Sequence, residues 1–266
     1  MGTIDHFEAN KHIWNQRTIL HKNSSFYNRE GFVKGGSSLN SIELNELGNV
    51  KGTSLLHLQC HFGMDSLDWA RRGATVTAVD ISDEAIREAE LLKKELKLPA
   101  TFLCCNVYDI DRHIHSLFDI VFTSYGVIGW LPDLERWAQL IADRLKPGGI
   151  FYMAEFHPVV WMFDEEFTHV KYHYDNRELI ITENEGTYTD RNAAIIGKEY
   201  SWNHSLAEVL NALLKTGLQL QLFNEYMYSP YPCFRNMAEV EKGQWQIPGM
   251  EGKIPMVYSL KMIKPA

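Results

Sequence analysis

Short apolar runs alternate with amphipathic stretches between residues 55 and 156. Five of these runs are compact and rich in apolar or β-branched residues, as expected for strands that are covered on both faces of a sheet. The stretches between them have helical spacing, so the pattern predicts a parallel sheet with crossover helices. The predicted strands are residues 54–58, 75–79, 101–105, 119–124 and 149–155.

Capping residues mark the boundaries of the helices between these strands. The first predicted helix covers residues 64–73 and ends at a glycine, which suits the left-handed position after a helix. Ser82 is predicted to cap the second helix, since its hydroxyl can accept from a free backbone amide of the first turn. The third predicted helix covers residues 134–146, where Pro147 and two glycines stop it.

The flanking segments have a different character. Residues 5–47 are predicted to be mostly helical and to form a cap over the edge of the sheet. After Pro158, alternating aromatic-rich runs predict an antiparallel β insertion into the α/β core. The predicted inserted strands are residues 170–174, 178–182 and 187–189. The α/β pattern then resumes with a helix over 205–216, strands over 218–225 and 256–262, and between these strands a Tyr-, Pro- and Gly-rich lid or pocket wall.

Length and composition indicate a globular protein. With 266 residues and 45% hydrophobic content, the chain is long enough for a single domain that carries an insertion. The expected units are a cap over residues 1–50, a cofactor-binding core over 51–157, an insertion over 158–201 and a completion of the sheet over 202–266.

Charge and cysteine content narrow the class of partner. A formal net charge of -8 argues against a surface that neutralises nucleic-acid phosphates, so a small-molecule partner is expected. The amino terminus lacks a basic segment followed by an apolar run, and no apolar stretch is long enough to span a bilayer. We therefore expect a soluble cytoplasmic protein without membrane partners.

The four cysteines show no CxxC pairing, so we expect neither a disulfide framework nor a metal site.

Residues 55–63 (LLHLQCHFG) connect the first predicted strand to the first predicted helix. A strand, a tight turn and a helix bring free backbone amides to the carboxyl edge of a sheet, where open α/β sheets bind ligands. Asp80 ends the second predicted strand, and a carboxylate there can accept both hydroxyl hydrogens of a ribose. Together these features predict a nucleoside-containing cofactor.

The loop composition separates two cofactor classes. A dinucleotide pyrophosphate needs the close backbone approach that a GxGxxG pattern gives, and the corresponding positions here are Gln59, His61 and Met64. S-adenosylmethionine has no phosphate and presents an ammonium and a carboxylate, so side chains at these positions are more tolerable. A nicotinamide-dependent oxidoreductase is therefore the weaker alternative.

With these motifs the chain resembles the class I S-adenosylmethionine-dependent methyltransferases over about residues 55–156. The resemblance rests on the loop, Asp80, Asn106 and the turn at residues 145–149 (LKPGG). The chain is also similar to a subgroup of methyltransferase-domain proteins with an LHLQCHFG-type loop and WLPDL, EFHP and YxWxHSL segments. The resemblance implies a doubly wound Rossmann-like sheet of seven mostly parallel strands in the order 3-2-1-4-5-7-6, with the last strand antiparallel.

The loop departs from the family pattern at three positions. His57 stands where the family usually has an acidic residue, Gln59 and His61 replace the first two loop glycines, and Gly63 remains. Structural alternatives are that His57 hydrogen-bonds a strand neighbour, that Gly63 is a hinge, and that Asp80 only starts a helix. The missing glycines also leave open a non-catalytic protein that binds the cofactor as a sensor.

The resemblance implies a role for each residue of the cofactor site. Backbone atoms of the loop would hold the methionyl part above the following helix, a carboxylate would hold the ribose, and the ends of the third and fourth strands would meet the adenine and the sulfonium. The methionyl residues are Gln59, Cys60, His61, Gly63, Met64 and Asp65. The nucleoside and sulfonium residues are Asp80, Ile81, Asn106, Val107, Tyr125 and Gly126.

Methyl transfer is an in-line displacement, so alignment and desolvation can supply most of the acceleration. If the acceptor must lose a proton, histidine is the best-suited base near neutral pH. His157, after the fifth strand, is the first candidate, His204 is the second, and Tyr125 is expected beside the reacting atoms. The alternative for both histidines is a structural hydrogen bond.

Two features of the sequence indicate the kind of acceptor: the residues that follow the fourth strand and the aromatic residues near the predicted site. The residues after that strand, 124–127 (SYGV), do not form the NPPY-like run of base-modifying nucleic-acid methyltransferases, which favours a small-molecule acceptor. The sequence leaves open whether the protein is a monomer or a homodimer. Aromatic residues that could line the acceptor pocket, or simply pack in the core, are Tyr125, Trp130, Trp161, Tyr200 and Trp202.

Overall fold

A computed structural model of the protein describes residues 6–174 and 176–266. The α-helices are α1 His6–His21, α2 Arg29–Val33, α3 Ser41–Leu47, α4 Met64–Arg71, α5 Asp83–Leu96, α6 Ile110–His113, α7 Leu134–Arg144 and α8 Leu206–Lys215. The strands are β1 Ser54–Leu58, β2 Thr75–Asp80, β3 Ala100–Cys104, β4 Phe118–Thr123, β5 Leu145–Phe156, β6 Asn176–Glu185, β7 Ile196–Asn203, β8 Gln219–Tyr226, β9 Ala238–Glu241, β10 Gln244–Gln246 and β11 Val257–Ile263.

Seven strands form the central sheet in the order β3-β2-β1-β4-β5-β11-β8. The first five pair in parallel, and β11 pairs antiparallel with both β5 and β8. Counting β8 and β11 as the sixth and seventh strands of the core, this is the predicted order 3-2-1-4-5-7-6. The predicted fold class is therefore confirmed, including the helical cap before the sheet and the antiparallel insertion after its fifth strand.

Apolar side chains on both faces of the sheet explain why this order forms. β1 and β4 lie at its centre, and Leu55, Leu56 and Leu58 of β1 have no exposed surface. One buried cluster packs beneath α4 and α5, and a second packs beneath α7 and α8. Both predicted capping signals around α5 and α4 hold, since Ser82 accepts from Ala85 N and Gly73 follows α4 with a positive φ.

Three local predictions are wrong. The helix predicted over residues 134–146 ends at Arg144, because Leu145 already pairs with Phe118 as the first residue of β5. Residues 170–174 form no strand; Val170 makes an isolated bridge to Phe163. Residues 187–189 form a turn, in which the Thr187 hydroxyl accepts from two following amides.

The insertion is instead a two-stranded antiparallel sheet of β6 and β7. The predicted strand over residues 178–182 lies within β6, whereas β7 and the small β9–β10 hairpin in the segment after β8 were not predicted. The predicted cap corresponds to α1, α2 and α3, and its first residue, residue 5, lies outside the described part of the chain. In the described residues no helix is both long and apolar enough to cross a membrane.

Candidate cofactor and acceptor site

A cavity of about 1300 Å³ lies at the carboxyl edge of the sheet. Its wall combines the loop after β1, the ends of β2 to β5, the cap helices and the β6–β7 insertion. Pockets for a single drug-sized ligand typically measure roughly 300–1,000 Å³, so this cavity has room for a nucleoside cofactor and a second small molecule. The residues predicted at the methionyl end all line it: Gln59, Cys60, His61, Gly63, Met64 and Asp65.

The loop keeps a backbone that glycine would favour, although two of its glycine positions carry side chains. Gln59 has φ 55° and His61 has φ 49°, both in the left-handed region, and Gly63 follows with φ 77°. Such conformations cost non-glycine residues about 1–3 kcal/mol each. A Cβ on Gly63 would lie 2.6 Å from the ring of Phe102 and 2.9 Å from Ala89, so no side chain fits there. The loop is therefore shaped by tight packing against α5 and β3.

Backbone amides of this loop are already engaged inside the protein. Cys60 N donates to Val79 O over 2.9 Å, and Gly63 N donates to Cys60 O over 3.0 Å. His61 N donates to a carboxylate oxygen of Asp80 over 2.8 Å. A pyrophosphate would need such amides free, so the geometry disfavours a dinucleotide here and suits a ligand without phosphate.

Asp80 lies at the end of β2 and lines the cavity with Ile81. Its Oδ2 accepts from His61 N, and its Oδ1 accepts from Ser82 N over 2.9 Å. Burial raises the pKa of Asp80 to about 6, although these amide hydrogen bonds lower it. A carboxylate has about four lone-pair sites, so two remain for ribose hydroxyls. The ribose role of Asp80 stays a prediction that this geometry permits.

The end of β3 presents Cys105 and Val107 to the cavity, and Asn106 does not line it. The Asn106 side-chain oxygen accepts from Tyr108 N over 3.0 Å and caps a short 3-10 helix over Val107–Asp109. An amide oxygen at this place could otherwise accept a hydrogen bond from the exocyclic amine of adenine. Its use as a cap explains why asparagine suits this position, and contact with adenine stays a prediction.

The loop after β4 is held by Glu155, which sequence reasoning missed. This carboxylate is 1% exposed, lines the cavity, and accepts from the backbone amides of Gly126, Val127, Ile128 and Phe156. Burial raises its pKa to about 7 despite these donors. The only sequence signal was an acidic residue at the end of an otherwise apolar strand.

Tyr125 and Gly126, for which a place beside the cofactor is predicted, line the cavity. The Tyr125 hydroxyl donates to Oε2 of Glu43 on α3 over 2.8 Å, and the Glu43 side chain is buried. Burial raises the pKa of Glu43 to about 7 and raises the pKa of Tyr125 as well. The hydroxyl therefore joins the core to the cap, and a chemical role for it stays a prediction.

His157 does not reach the cavity, which contradicts the prediction that it faces the acceptor. Its Nδ1 accepts from Val159 N, and its Nε2 lies 2.9 Å from Oε1 of Glu225 on β8. Burial lowers its pKa, and the nearby carboxylate opposes that shift. The chain continues to pair with β11 through His157 N, and this pairing turns the imidazole toward Tyr258 and away from the site.

His204 lines the cavity, but both of its ring nitrogens have partners. Nε2 lies 2.8 Å from the carbonyl oxygen of Leu131, and Nδ1 lies 3.1 Å from Oε2 of Glu208 on α8. A carbonyl can only accept, so Nε2 carries a proton and donates. With both nitrogens engaged, the ring joins α8 to the wall of the site, and the structural alternative for His204 is favoured.

The cap helix α1 supplies a polar cluster that sequence reasoning missed. His21 Nδ1 lies 3.0 Å from His61 Nε2, and Arg17 forms a buried ion pair with Glu199 of β7. Arg17 also lies over the rings of Trp14 and Trp130. Helical spacing of Trp14, Arg17 and His21 places them on one face of α1. That spacing was the available signal, but the sequence does not identify their partners.

Four of the five aromatic residues proposed for the acceptor pocket line the cavity: Tyr125, Trp130, Trp161 and Trp202. Tyr200 is instead buried, 3% exposed, and packs against His6 of α1.

In the described parts of the chain no three His, Cys, Asp or Glu side chains are grouped so that they could hold a metal ion. The cavity wall is thus aromatic and polar.

Comparison with known proteins identifies a matching family over the core of the sheet. Residues 56–153 match the family model described as methyltransferase domain. The chain is 25% identical over 152 residues to a ubiquinone biosynthesis O-methyltransferase from Chromobacterium violaceum. That alignment covers 56% of this chain and 62% of the relative, so the chain spans less than two thirds of that protein's length.

Two solved structures share the fold over most of the chain. An S-adenosylmethionine-dependent methyltransferase from Mesorhizobium loti has a TM-score of 0.56 and 16% identity, covering 87% of this chain and 99% of its own. A geranyl diphosphate C-methyltransferase from Streptomyces coelicolor, solved with S-adenosyl-L-homocysteine, has a TM-score of 0.60 and 13% identity and covers 98% of both chains. At these identities the likeness establishes the fold.

Proposed function

We propose that this chain, a member of the class I S-adenosylmethionine-dependent methyltransferase family, transfers a methyl group to a small-molecule acceptor by in-line displacement. The observation that supports this most strongly is the continuous cavity that joins the loop after β1 to the aromatic wall of the cap and insertion. A methyl donor and an acceptor must meet within one such space, shielded from water.

The shape of the cofactor end of the cavity and its hydrogen-bonding groups fit S-adenosylmethionine. The space at Gly63 is closed to any side chain, three of the loop amides are engaged, and Asp80 retains sites for two ribose hydroxyls. When bound, the cofactor supplies a methyl group on a sulfonium. The core over residues 51–157 would hold it, with the nucleoside between Ile81 and Val107.

The acceptor end would be formed by the cap over residues 1–50 and the insertion over residues 158–201. Trp14 of the cap, Trp161 of the insertion and the neighbouring Trp130 of the core give it apolar faces, which suit an acceptor with aromatic or hydrocarbon parts. The negative net charge supports a small molecule over nucleic acid. We also propose that the protein acts in the cytoplasm, as a monomer or homodimer.

The chain's contribution to catalysis is proposed to be alignment and exclusion of water. His157 lies outside the cavity wall, and both nitrogens of His204 are occupied, so neither imidazole is placed to take a proton from the acceptor. This arrangement favours an acceptor whose nucleophilic atom ionises readily by itself. The Glu155 carboxylate would hold the Gly126 backbone beside the reacting atoms.

Isothermal titration calorimetry with S-adenosylmethionine, S-adenosylhomocysteine and NADH tests the cofactor class. Both sulfur cofactors are expected to bind with micromolar dissociation constants, and NADH is expected not to bind. No detectable heat with either sulfur cofactor at millimolar concentration would refute the proposal. Binding of the cofactors without turnover on a broad acceptor panel would instead support the non-catalytic sensor.

The affinity for S-adenosylmethionine is expected to rise as the pH increases from about 6 to 8. Burial raises the pKa of Asp65 to about 7 and that of Asp80 to about 6. Both carboxyls are therefore partly protonated near pH 6 without the cofactor. A cationic cofactor favours their ionised forms, so its binding lowers both pKa values and releases protons.

Calorimetry in two buffers of different ionisation enthalpy measures this proton release directly. Asp65→Asn is the matched variant, because it removes the group that titrates near pH 7 and leaves Asp80 in place. The variant is expected to show the pH dependence near pH 6 only. An affinity that stays constant between pH 5.5 and 8 would contradict the prediction.

A further inference from the structure

Gln59 is the loop residue whose side chain is fixed most clearly. It follows β1, and its Nε2 donates to the carbonyl oxygen of Val127 over 3.0 Å. A carbonyl only accepts, so this bond determines which end of the amide is nitrogen and which is oxygen. Val127 is held in turn by Glu155, whose Oε2 accepts from Val127 N over 2.8 Å. The orientation of the Gln59 amide is therefore set by a rigid neighbour.

The other end of this amide has no partner. Gln59 Oε1 is a buried acceptor without a hydrogen bond among the described residues, and Gln59 lines the cavity. A buried acceptor left unsatisfied loses stability, and such groups in folded proteins call for a partner that completes them. His57 Nε2 and His61 Nδ1 are also buried without partners, and both residues line the same cavity.

Backbone conformation indicates that the side chain at position 59 has a use. Gln59 is in the left-handed region with φ 55°, where glycine would be free of strain. A glutamine therefore lowers the stability of this loop relative to glycine. Strained non-glycine residues concentrate at active sites and ligand sites, where the surrounding structure holds them in place.

The charges around Gln59 select the ligand group that it would meet. Asp65 and Asp80 line the cavity on either side of the loop, and both are acidic. Burial lowers the pKa of His57 and of His61 to about 3, so both imidazoles are neutral near pH 7. The Arg17 guanidinium also lines the cavity, and its charge helps to lower the pKa of His61, but it is paired with Glu199. The carboxylates of Asp65 and Asp80 therefore give a cationic hydrogen-bond donor a net attraction here. The amino-acid end of the cofactor carries such a group, its α-ammonium.

We propose that the side chain of Gln59 binds the amino-acid end of the cofactor, with its Oε1 accepting a hydrogen bond from the α-ammonium. This inference rests on the proposed function and adds a side-chain contact at a position where backbone contact was expected. The residue that replaces a loop glycine is then a specificity determinant for the aminocarboxypropyl tail. A ligand that lacks this tail gains nothing from Gln59.

Two ligands and two variants test this assignment. S-adenosylhomocysteine carries the tail, whereas 5′-methylthioadenosine has the same nucleoside and a neutral thioether without it. Gln59→Gly removes the amide and relieves the backbone strain, and Gln59→Met removes the amide while keeping side-chain length and strain. Both variants are expected to bind S-adenosylhomocysteine at least about tenfold more weakly, the effect of losing a hydrogen bond to a charged group. Their affinity for 5′-methylthioadenosine is expected to match that of the natural protein.

Each result of these titrations has a defined meaning. Unchanged binding of S-adenosylhomocysteine by either variant would overturn the inference while leaving the proposed function intact. Equal weakening of both ligands would also overturn it, because the side chain would then act only through the shape of the loop. If the natural protein binds neither ligand, the proposed function fails and the inference fails with it. A higher melting temperature for Gln59→Gly would confirm that the variant folds.

Discussion

Glu155→Ala is expected to lower the free energy of unfolding by at least about 4 kcal/mol, because four backbone donors lose their acceptor and each buried donor left unpaired costs about 1–3 kcal/mol. Four backbone amides donate to this one carboxylate, and three of them belong to the loop after β4. Alanine would leave these amides without their acceptor, and three of them belong to the buried residues Val127, Ile128 and Phe156. Chemical denaturation in urea, monitored by far-UV circular dichroism, measures the change.

Two comparisons make the Glu155 result specific. Glu135→Ala removes an exposed carboxylate from α7 and is expected to change stability only slightly. Burial raises the pKa of Glu155 above its usual value of 4.5 to about 7. Its contribution to stability is therefore complete below pH 4.5 and declines as the pH rises through 7. A loss on Glu155→Ala that is no larger than that of Glu135→Ala, or that grows from pH 5 to pH 8, would contradict this account.

The order of the sheet could be predicted because each of its signals is local. Residues 55–58 carry leucines on both faces, which identifies a strand inside a parallel sheet, and the right-handed crossover rule then restricts the topology. Ser82 as a cap and Gly73 after α4 act within a few residues of their own position. Patterns that depend only on neighbours along the chain can be interpreted from the sequence alone.

Contacts between distant segments account for what the sequence did not reveal. Arg17 pairs with Glu199, 182 positions away, and Tyr125 pairs with Glu43, 82 positions away. No spacing rule connects such residues. The direction of the His157 ring has the same origin, since it depends on how the end of β5 continues along β11 and on a carboxylate of β8.

In the loop after β1 the sequence departs from the family pattern, but the backbone keeps the conformation that glycine would favour. The absence of two glycines suggested an altered loop, yet Gln59 and His61 adopt the positive φ angles that glycine would favour. Loop shape is thus kept by surrounding bonds, including Asp80 to His61 N and Val127 O to the Gln59 amide. The side chains at positions 59 and 61 therefore change the chemistry of the cavity wall and leave the backbone conformation of the loop nearly unchanged.

Arg17→Met is expected to lower the free energy of unfolding by about 3–5 kcal/mol, the range for removing one partner of a buried ion pair. The Arg17 and Glu199 side chains are 8% and 10% exposed, so the remaining carboxylate would be poorly solvated. The loss would also weaken the attachment of α1 to β7, where the hydrogen bonds between Asn10 and Tyr200 remain. Thermal and urea denaturation give the magnitude.

A double variant separates the charge from the packing of the Arg17 side chain. Arg17→Met combined with Glu199→Gln removes both charges, and it is expected to recover most of the stability lost by Arg17→Met alone, because no unpaired charge then stays buried. Lys34→Met, which breaks an exposed pair with Glu30, is the matched control and is expected to have little effect. If the double variant is no more stable than Arg17→Met, the loss comes from the stacking of Arg17 on Trp14 and Trp130, and the ion pair is not what holds the cap to the insertion.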